Sequence, residues 1–99
     1  MSLEEAVNKL TFRVASVFGL SDRGLLRAGF AADIAVFDPA TVNTLEPEYV
    51  QDLPAKETRM IQKAAGVPHT VVNGEVVIQD GAPTGAFPGK VLRPNGWRR

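Results

Sequence analysis

The sequence predicts an α+β fold: an N-terminal helical segment of one or two helices, followed by a small β-sheet. Three observations carry that expectation. Residues 2–18 open on a capping sequence and then repeat apolar residues at helical spacing. Residues 33–38 form a continuous apolar run bounded by aspartates. Residues 67–81, VPHTVVNGEVVIQDG, set an Asn-Gly pair between two valine-rich runs.

The helix comes first. Ser2-Leu3-Glu4-Glu5 has the form of a capping box, in which Ser2 accepts the Glu5 N–H and Glu5 reaches back to the Ser2 N–H. Leu3, Val7, Leu10, Val14, Val17 and Phe18 then recur at spacings of four and three, which places them in one stripe. Thr11 is an alternative N-cap, so the segment is one helix or two. Gly19 is the expected stop.

Ser21-Asp22-Arg23-Gly24 reads as a turn, and Leu25-Leu26-Arg27 as a short strand. The run from Asp33 to Asp38 is expected to be a strand buried on both faces, ended by Pro39. Signals weaken over 40–66. Glu46-Pro47-Glu48 suits the start of a helical turn, with proline tolerated at its first position. Leu53-Pro54 breaks any continuation, and Thr58–Lys63 reads as a strand.

The Asn73-Gly74 pair predicts a two-residue type I′ turn, because both residues accept positive φ. That fixes a register: Val72 opposite Glu75, Val71 opposite Val76, Thr70 opposite Val77 and His69 opposite Ile78. His69, Val71, Val76 and Ile78 then share the core face. Past Gly81, the density of proline and glycine predicts an extended tail. The expected organisation is a helical segment over 1–24, strands over 25–81 with the hairpin at 70–79, and a tail over 82–99.

Composition narrows the function classes. The chain has 99 residues, 44% hydrophobic and 22% charged, which suits one small globular domain. Eleven basic residues balance eleven acidic ones, which argues against nucleic-acid or anionic-membrane partners. The basic end Asn95-Gly96-Trp97-Arg98-Arg99 reads as a solvated terminus. Cysteine is absent, which excludes disulfides, thiolate zinc sites and thiol nucleophiles. No apolar run approaches the ~20 residues of a membrane span, and no signal peptide opens the chain, so the expectation is a cytoplasmic protein.

Candidate chemistry is sparse, and the expected catalytic, cofactor-binding and metal-binding sets within this chain are each empty. The single histidine, His69, is favoured as a structural residue at the core edge over a proton shuttle or ligand. One histidine without cysteine, and without HxH or HExxH spacing, is a poor basis for a zinc site. A nucleophilic triad would need Ser2, Ser16 or Ser21 beside His69. No G-x-S-x-G is present, and Ser2 and Ser21 have capping or turn roles. The glycines form no phosphate-binding loop. Asp33, Asp38 and Asp80 read as turn or strand-end residues. Arg59, Gln62 and Lys63 form a polar cluster ahead of the hairpin, favoured as solvated surface over a face for a partner domain.

Three stretches together carry a family signal: residues 1–7 through Phe18-Gly19-Leu20, residues 22–38 (DRGLLRAGFAADIAVFD), and Val72-Asn73-Gly74-Glu75-Val76-Val77 with Asp80-Gly81, Thr84-Gly85 and residues 88–93 (PGKVLR). Their order and spacing resemble the C-terminal end of an amidohydrolase-superfamily enzyme, in the D-aminoacylase or N-acyl-D-amino-acid deacylase group. The resemblance covers nearly the whole chain. Val14 departs from it, because many relatives carry a proline after Thr11, which leaves one helix or two open. The resemblance implies that residues 2–18 are the last helical part of a (β/α)₈ barrel and that the strands form half of a composite β-sandwich. The barrel itself, with its metal ligands and catalytic aspartate, is expected to be absent from this chain. Zinc or another divalent metal is implied for a full-length parent, a hydrolase of C–N bonds, and no cofactor for this chain. The expected partners are a second copy of the chain or the missing barrel. The alternative expectation is a free-standing β-rich binding or assembly module.

Overall fold

The computed structural model describes residues 1–94; Asn95-Gly96-Trp97-Arg98-Arg99 lie outside the described residues. The helical segment is bent into two helices, α1 (Leu3–Leu10) and α2 (Phe12–Val17). The capping box is formed: the Ser2 N–H donates to Glu5 Oε2 at 2.9 Å, and the Glu5 N–H donates to Ser2 Oγ at 3.1 Å. Thr11 marks the break, at φ −124° and ψ −93°. It does not cap α2. Its hydroxyl donates back to the Val7 carbonyl at 2.6 Å, the local bond by which threonine competes with helix geometry. α2 ends in a Schellman arrangement, with the Leu20 N–H on the Ala15 carbonyl and the Gly19 N–H on the Ser16 carbonyl.

Two expectations for the next stretch are corrected. Leu25-Leu26-Arg27 is not a strand. No neighbouring chain pairs with it, and it runs into a turn closed by the Phe30 N–H on the Arg27 carbonyl. The strand expected over 33–38 is β1 (Ile34–Val36), and it is not buried on both faces. It lies at a sheet edge, with Ala35 and Val36 exposed.

The main sheet has the order β1-β6-β7-β8, where β6 is His69–Val72, β7 is Glu75–Gln79 and β8 is Ala82–Pro83. β6 is central, paired antiparallel to β1 on one side and β7 on the other. Asn73 (φ 48°) and Gly74 (φ 81°) form the expected turn. Val72↔Glu75 and Val71↔Val76 keep the expected register, but Thr70 pairs with Ile78. Val77 is therefore the extra residue of a β-bulge. Its carbonyl accepts the Thr84 N–H at 3.0 Å, and the neighbouring Val76 carbonyl accepts the Thr84 hydroxyl at 2.6 Å. The bulge turns Val76 outward, to 42% exposure, while Val77 and Ile78 become half-buried.

β8 is a strand inside the expected tail. Asp80 (φ 50°) and Gly81 (φ 79°) make a second two-residue turn, and Gln79↔Ala82 and Ile78↔Pro83 pair across it. Pro83 is tolerated because β8 is a sheet edge.

Two small ribbons lie between β1 and β6. β2 (Asn43–Thr44) pairs with β5 (Ala64–Ala65), and β3 (Glu48–Val50) pairs with β4 (Arg59–Ile61). The helical turn expected at 46–48 is therefore replaced by strand, and a short 3₁₀ turn falls at Pro54–Lys56 instead. β4 lies within the expected 58–63 strand. Gly66 closes this region. At φ 76° its Cα faces the Thr41–Val42 backbone, where an added Cβ would stand 2.5 Å from the Val42 nitrogen. That close approach carries the bond from the Asp38 N–H to the Gly66 carbonyl.

All strand pairs are antiparallel, and no barrel is present among the described residues. The core is thin. Ala15, at 6% exposure, is the only hydrophobic residue buried among the described residues. The α1–α2 stripe of Leu3, Val7, Leu10, Val14, Val17 and Phe18 is exposed along its length.

Candidate functional site

His69 begins β6 and pairs with Val36 of the edge strand. Its Nδ1 accepts the Asp80 N–H at 3.3 Å, and its Nε2 stands 3.9 Å from Asp80 Oδ1. The ring thus braces the β7–β8 turn. Its side chain is 38% exposed, and neither contact places a nucleophile beside it. Of the serines, Ser2 is spent as a helix cap, and the Ser16 carbonyl belongs to the α2 terminus.

The carboxylates take separate posts. Asp38 Oδ1 accepts the Ala40 N–H at 2.9 Å and starts the turn after β1. Asp80 sits in the β7–β8 turn. Among the described residues no group of three or more His, Cys, Asp or Glu side chains is placed to hold a metal ion.

Arg59, Gln62 and Lys63 are not gathered into one cluster. Arg59 makes a bidentate pair with Asp52 at 2.6 and 2.6 Å. Gln62 donates to the Leu45 carbonyl, and Lys63 lies 3.3 Å from Glu48. The hydrogen bond from Arg59, followed by its charge, holds the Asp52 carboxyl below the ordinary carboxylate range, and Asp52 in turn raises Arg59.

Residue-by-residue reading of the sequence misses the cluster that the fold does assemble. Arg23, with a side chain 11% exposed, donates from Nη1 to Asp33 Oδ2 and to Asn73 Oδ1, each at 2.7 Å. The Asn73 N–H donates to Asp33 Oδ1 at 2.8 Å, and Asn73 Nδ2 donates to the Pro88 carbonyl at 2.8 Å. Asp22 Oδ1 lies 3.7 Å from Arg23 Nε. This latch ties the loop after the helices, the start of β1, the hairpin turn and the tail. Each of its members is explained locally in the sequence, Asn73 as a turn residue and Asp33 as a strand end. Only the 50-residue return of the chain reveals their shared role.

A large concavity among the described residues is apolar. It is an open groove of about 880 Å³ between α1 and residues 24–42, with Leu3, Val7 and Leu10 on one wall and Leu25, Leu26 and Ile34 on the other. Glu4, Asn8 and Asp33 supply its polar rim. Among the described residues no helix is long and apolar enough to cross a membrane.

Comparison with known proteins gives this arrangement a context. The chain is 42% identical over 95 residues to N-acyl-D-aspartate deacylase of Alcaligenes xylosoxydans xylosoxydans, which covers 95% of this chain and 17% of that protein. It is 43% identical over 90 residues to the D-aminoacylase of the same organism, covering 91% of this chain and 17% of the relative. A more distant match is dihydroorotase of Lactobacillus acidophilus, 37% identical over 81 residues, or 81% of this chain and 19% of that enzyme. The chain thus spans less than a fifth of the length of these relatives. No solved structure matches it. Residues 1–78 match the amidohydrolase family, and the chain belongs to that family.

Proposed function

We propose that these residues form the non-catalytic C-terminal portion of a metal-dependent amidohydrolase that cleaves non-peptide C–N bonds in N-acyl amino acids, and that they are inactive alone. The observation that carries this reading is the 41–43% identity to three deacylases of N-acyl-D-amino acids across nearly all of this chain but only 17% of each relative. In this reading residues 1–24 end the barrel. Residues 25–81 supply strands of a composite β-sandwich, one layer of which is the β1-β6-β7-β8 sheet, and residues 82–99 are the tail.

In this reading the metal and the residues that activate water lie elsewhere in the enzyme. The contribution of this segment is structural. Its latch and hairpin hold a small sheet, and its apolar helix stripe offers a face for the remaining domain.

The test is hydrolysis of N-acetyl-D-aspartate and N-acetyl-D-glutamate by the purified 99-residue chain, with and without added zinc. The expected rate equals the buffer blank, for the chain and for His69→Ala alike. Turnover that disappears in His69→Ala would overturn the reading in favour of a small enzyme. A second reading, a free-standing β-rich assembly module, is favoured by the open apolar groove. The reading frame upstream of the Met1 codon separates the two: a barrel with an HxH strand supports the enzyme portion, and an unrelated frame supports the module.

A further inference from the structure

The turn that closes the β6–β7 hairpin is also a chemically reactive pair. In an Asn-Gly sequence the glycine backbone nitrogen lies one ring closure from the asparagine amide carbon. Glycine has no side chain to obstruct that approach. Asn73-Gly74 is such a pair, and it stands at the centre of the Arg23 latch.

The closed latch engages the atoms that this chemistry uses. The nucleophile is the Gly74 nitrogen, and its N–H donates to the Ala32 carbonyl at 3.0 Å. The electrophile is Asn73 Cγ. Its amide is fixed at both ends: Oδ1 accepts from Arg23 Nη1 at 2.7 Å, and Nδ2 donates to the Pro88 carbonyl at 2.8 Å. The Asn73 N–H is held by Asp33 Oδ1 at 2.8 Å. The Arg23 bond also draws electron density from Cγ, but that polarisation is idle while the Gly74 nitrogen is engaged with Ala32.

We propose that Asn73-Gly74 is a self-modification site guarded by the latch: closed, the pair is inert; opened, Asn73 deamidates and its product loosens the tail at Pro88. The reaction needs only water. The Gly74 nitrogen gives its proton to solvent base and bonds to Asn73 Cγ. The Cγ–Nδ2 bond breaks, and ammonia leaves with a proton taken from water. Water then adds to one carbonyl of the resulting succinimide and opens the ring. Cleavage of the Cγ–N bond yields aspartate. Cleavage of the Asn73 C–N bond yields isoaspartate, with the chain rerouted through the side chain.

Either product changes the latch. The Nδ2 donor to the Pro88 carbonyl is gone, and a carboxylate, which only accepts, takes the place of the amide. The new charge and Asp33 then share one guanidinium, that of Arg23. The inference is independent of the enzyme reading, because its test follows the covalent state of one residue and not hydrolysis of a substrate.

The 99-residue chain is incubated in mildly alkaline buffer, and conversion of amide to acid is followed by mass spectrometry of tryptic peptides. Cleavage after Lys63 and Lys90 separates Asn73 from Asn95-Gly96, which carries the same dipeptide. A synthetic peptide of residues 70–77 gives the rate of the open pair. Four hydrogen bonds must break to free the pair in the chain, so Asn73 is expected to convert at least ~100-fold more slowly there than in the peptide. Arg23→Met is expected to speed conversion about 30-fold, as loss of a charge-assisted bond shifts the opening equilibrium.

Urea below the unfolding transition decides the matter if Arg23→Met fails to fold. Local opening exposes little surface, so the Asn73 rate in the parent chain is expected to stay flat until the chain unfolds. Asn73→Asp reproduces the direct product, and trypsin is expected to cut it after Lys90 roughly tenfold faster than the parent. The proposal is overturned by an Asn73 rate in the chain equal to that in the peptide, or by a rate that climbs with urea in step with global unfolding. It is also overturned by a well-folded Arg23→Met that converts no faster than the parent, which would make Arg23 an activator of Cγ or a bystander. Cleavage after Lys90 that is no faster in Asn73→Asp overturns it as well.

Discussion

Arg23 is the residue on which the most separate parts of the chain converge. Replacing it with Met removes a charged donor from two acceptors at 2.7 Å, and it leaves Asp33 and Asn73 facing each other without their cation. A charge-assisted bond at a largely buried donor contributes about 2 kcal/mol, so Arg23→Met is expected to lower unfolding stability by that amount in urea. Asp33→Asn removes the same interaction, and the double variant is expected to fall well short of the sum. The exposed Asp52–Arg59 pair behaves differently. Asp52 titrates below its ordinary value because Arg59 bonds and attracts its charged form. Its folded value is thus lower than its unfolded one, so the stabilising effect is fully present above the ordinary carboxylate range. It is lost as pH falls through the lowered value. An NMR titration of Asp52 is expected to show this depression, and Arg59→Gln to move the midpoint upward.

The elements differ in how far the sequence announces them. The capping box, the Gly19 stop and the Asn73-Gly74 turn were legible because each depends on residues within a few positions of one another. The register was legible for only two pairs beyond the turn. Val77 bulges where Thr84 engages the Val76 and Val77 carbonyls, and that strand-edge contact is set by the Asp80-Gly81 turn. The Asp-Gly signal for this second hairpin stands in the sequence, but Pro83 and the glycines after it mask the short strand. The expected burial of 33–38 failed because an apolar run does not reveal whether a strand is central or at an edge. Gly66 gives the sharpest prediction at this scale. Its positive φ costs a non-glycine residue about 1–3 kcal/mol, and its Cβ would meet the Val42 backbone at 2.5–2.6 Å. Gly66→Ala is expected to destabilise the chain by at least about 2 kcal/mol in thermal or urea unfolding, whereas Gly89→Ala, with open space around it, is expected to change little.

At the scale of the whole molecule, the family was legible in three stretches whose order matters more than any one residue. The latch was not, because Arg23 and Asn73 lie 50 residues apart. The same separation has a kinetic consequence. Closing a flexible loop of about 50 residues costs roughly 3.5 kcal/mol of chain entropy. The hairpin turns close loops of two residues and form on a timescale of microseconds. The Arg23 contacts are therefore expected to form after the rate-limiting step, when the hairpin already presents Asn73. Arg23→Met should then steepen the loss of the native state without slowing its formation: in a stopped-flow chevron the unfolding limb rises and the refolding limb stays in place. On that expectation the latch acts as a brake on opening, and its loss shortens the lifetime of the folded chain.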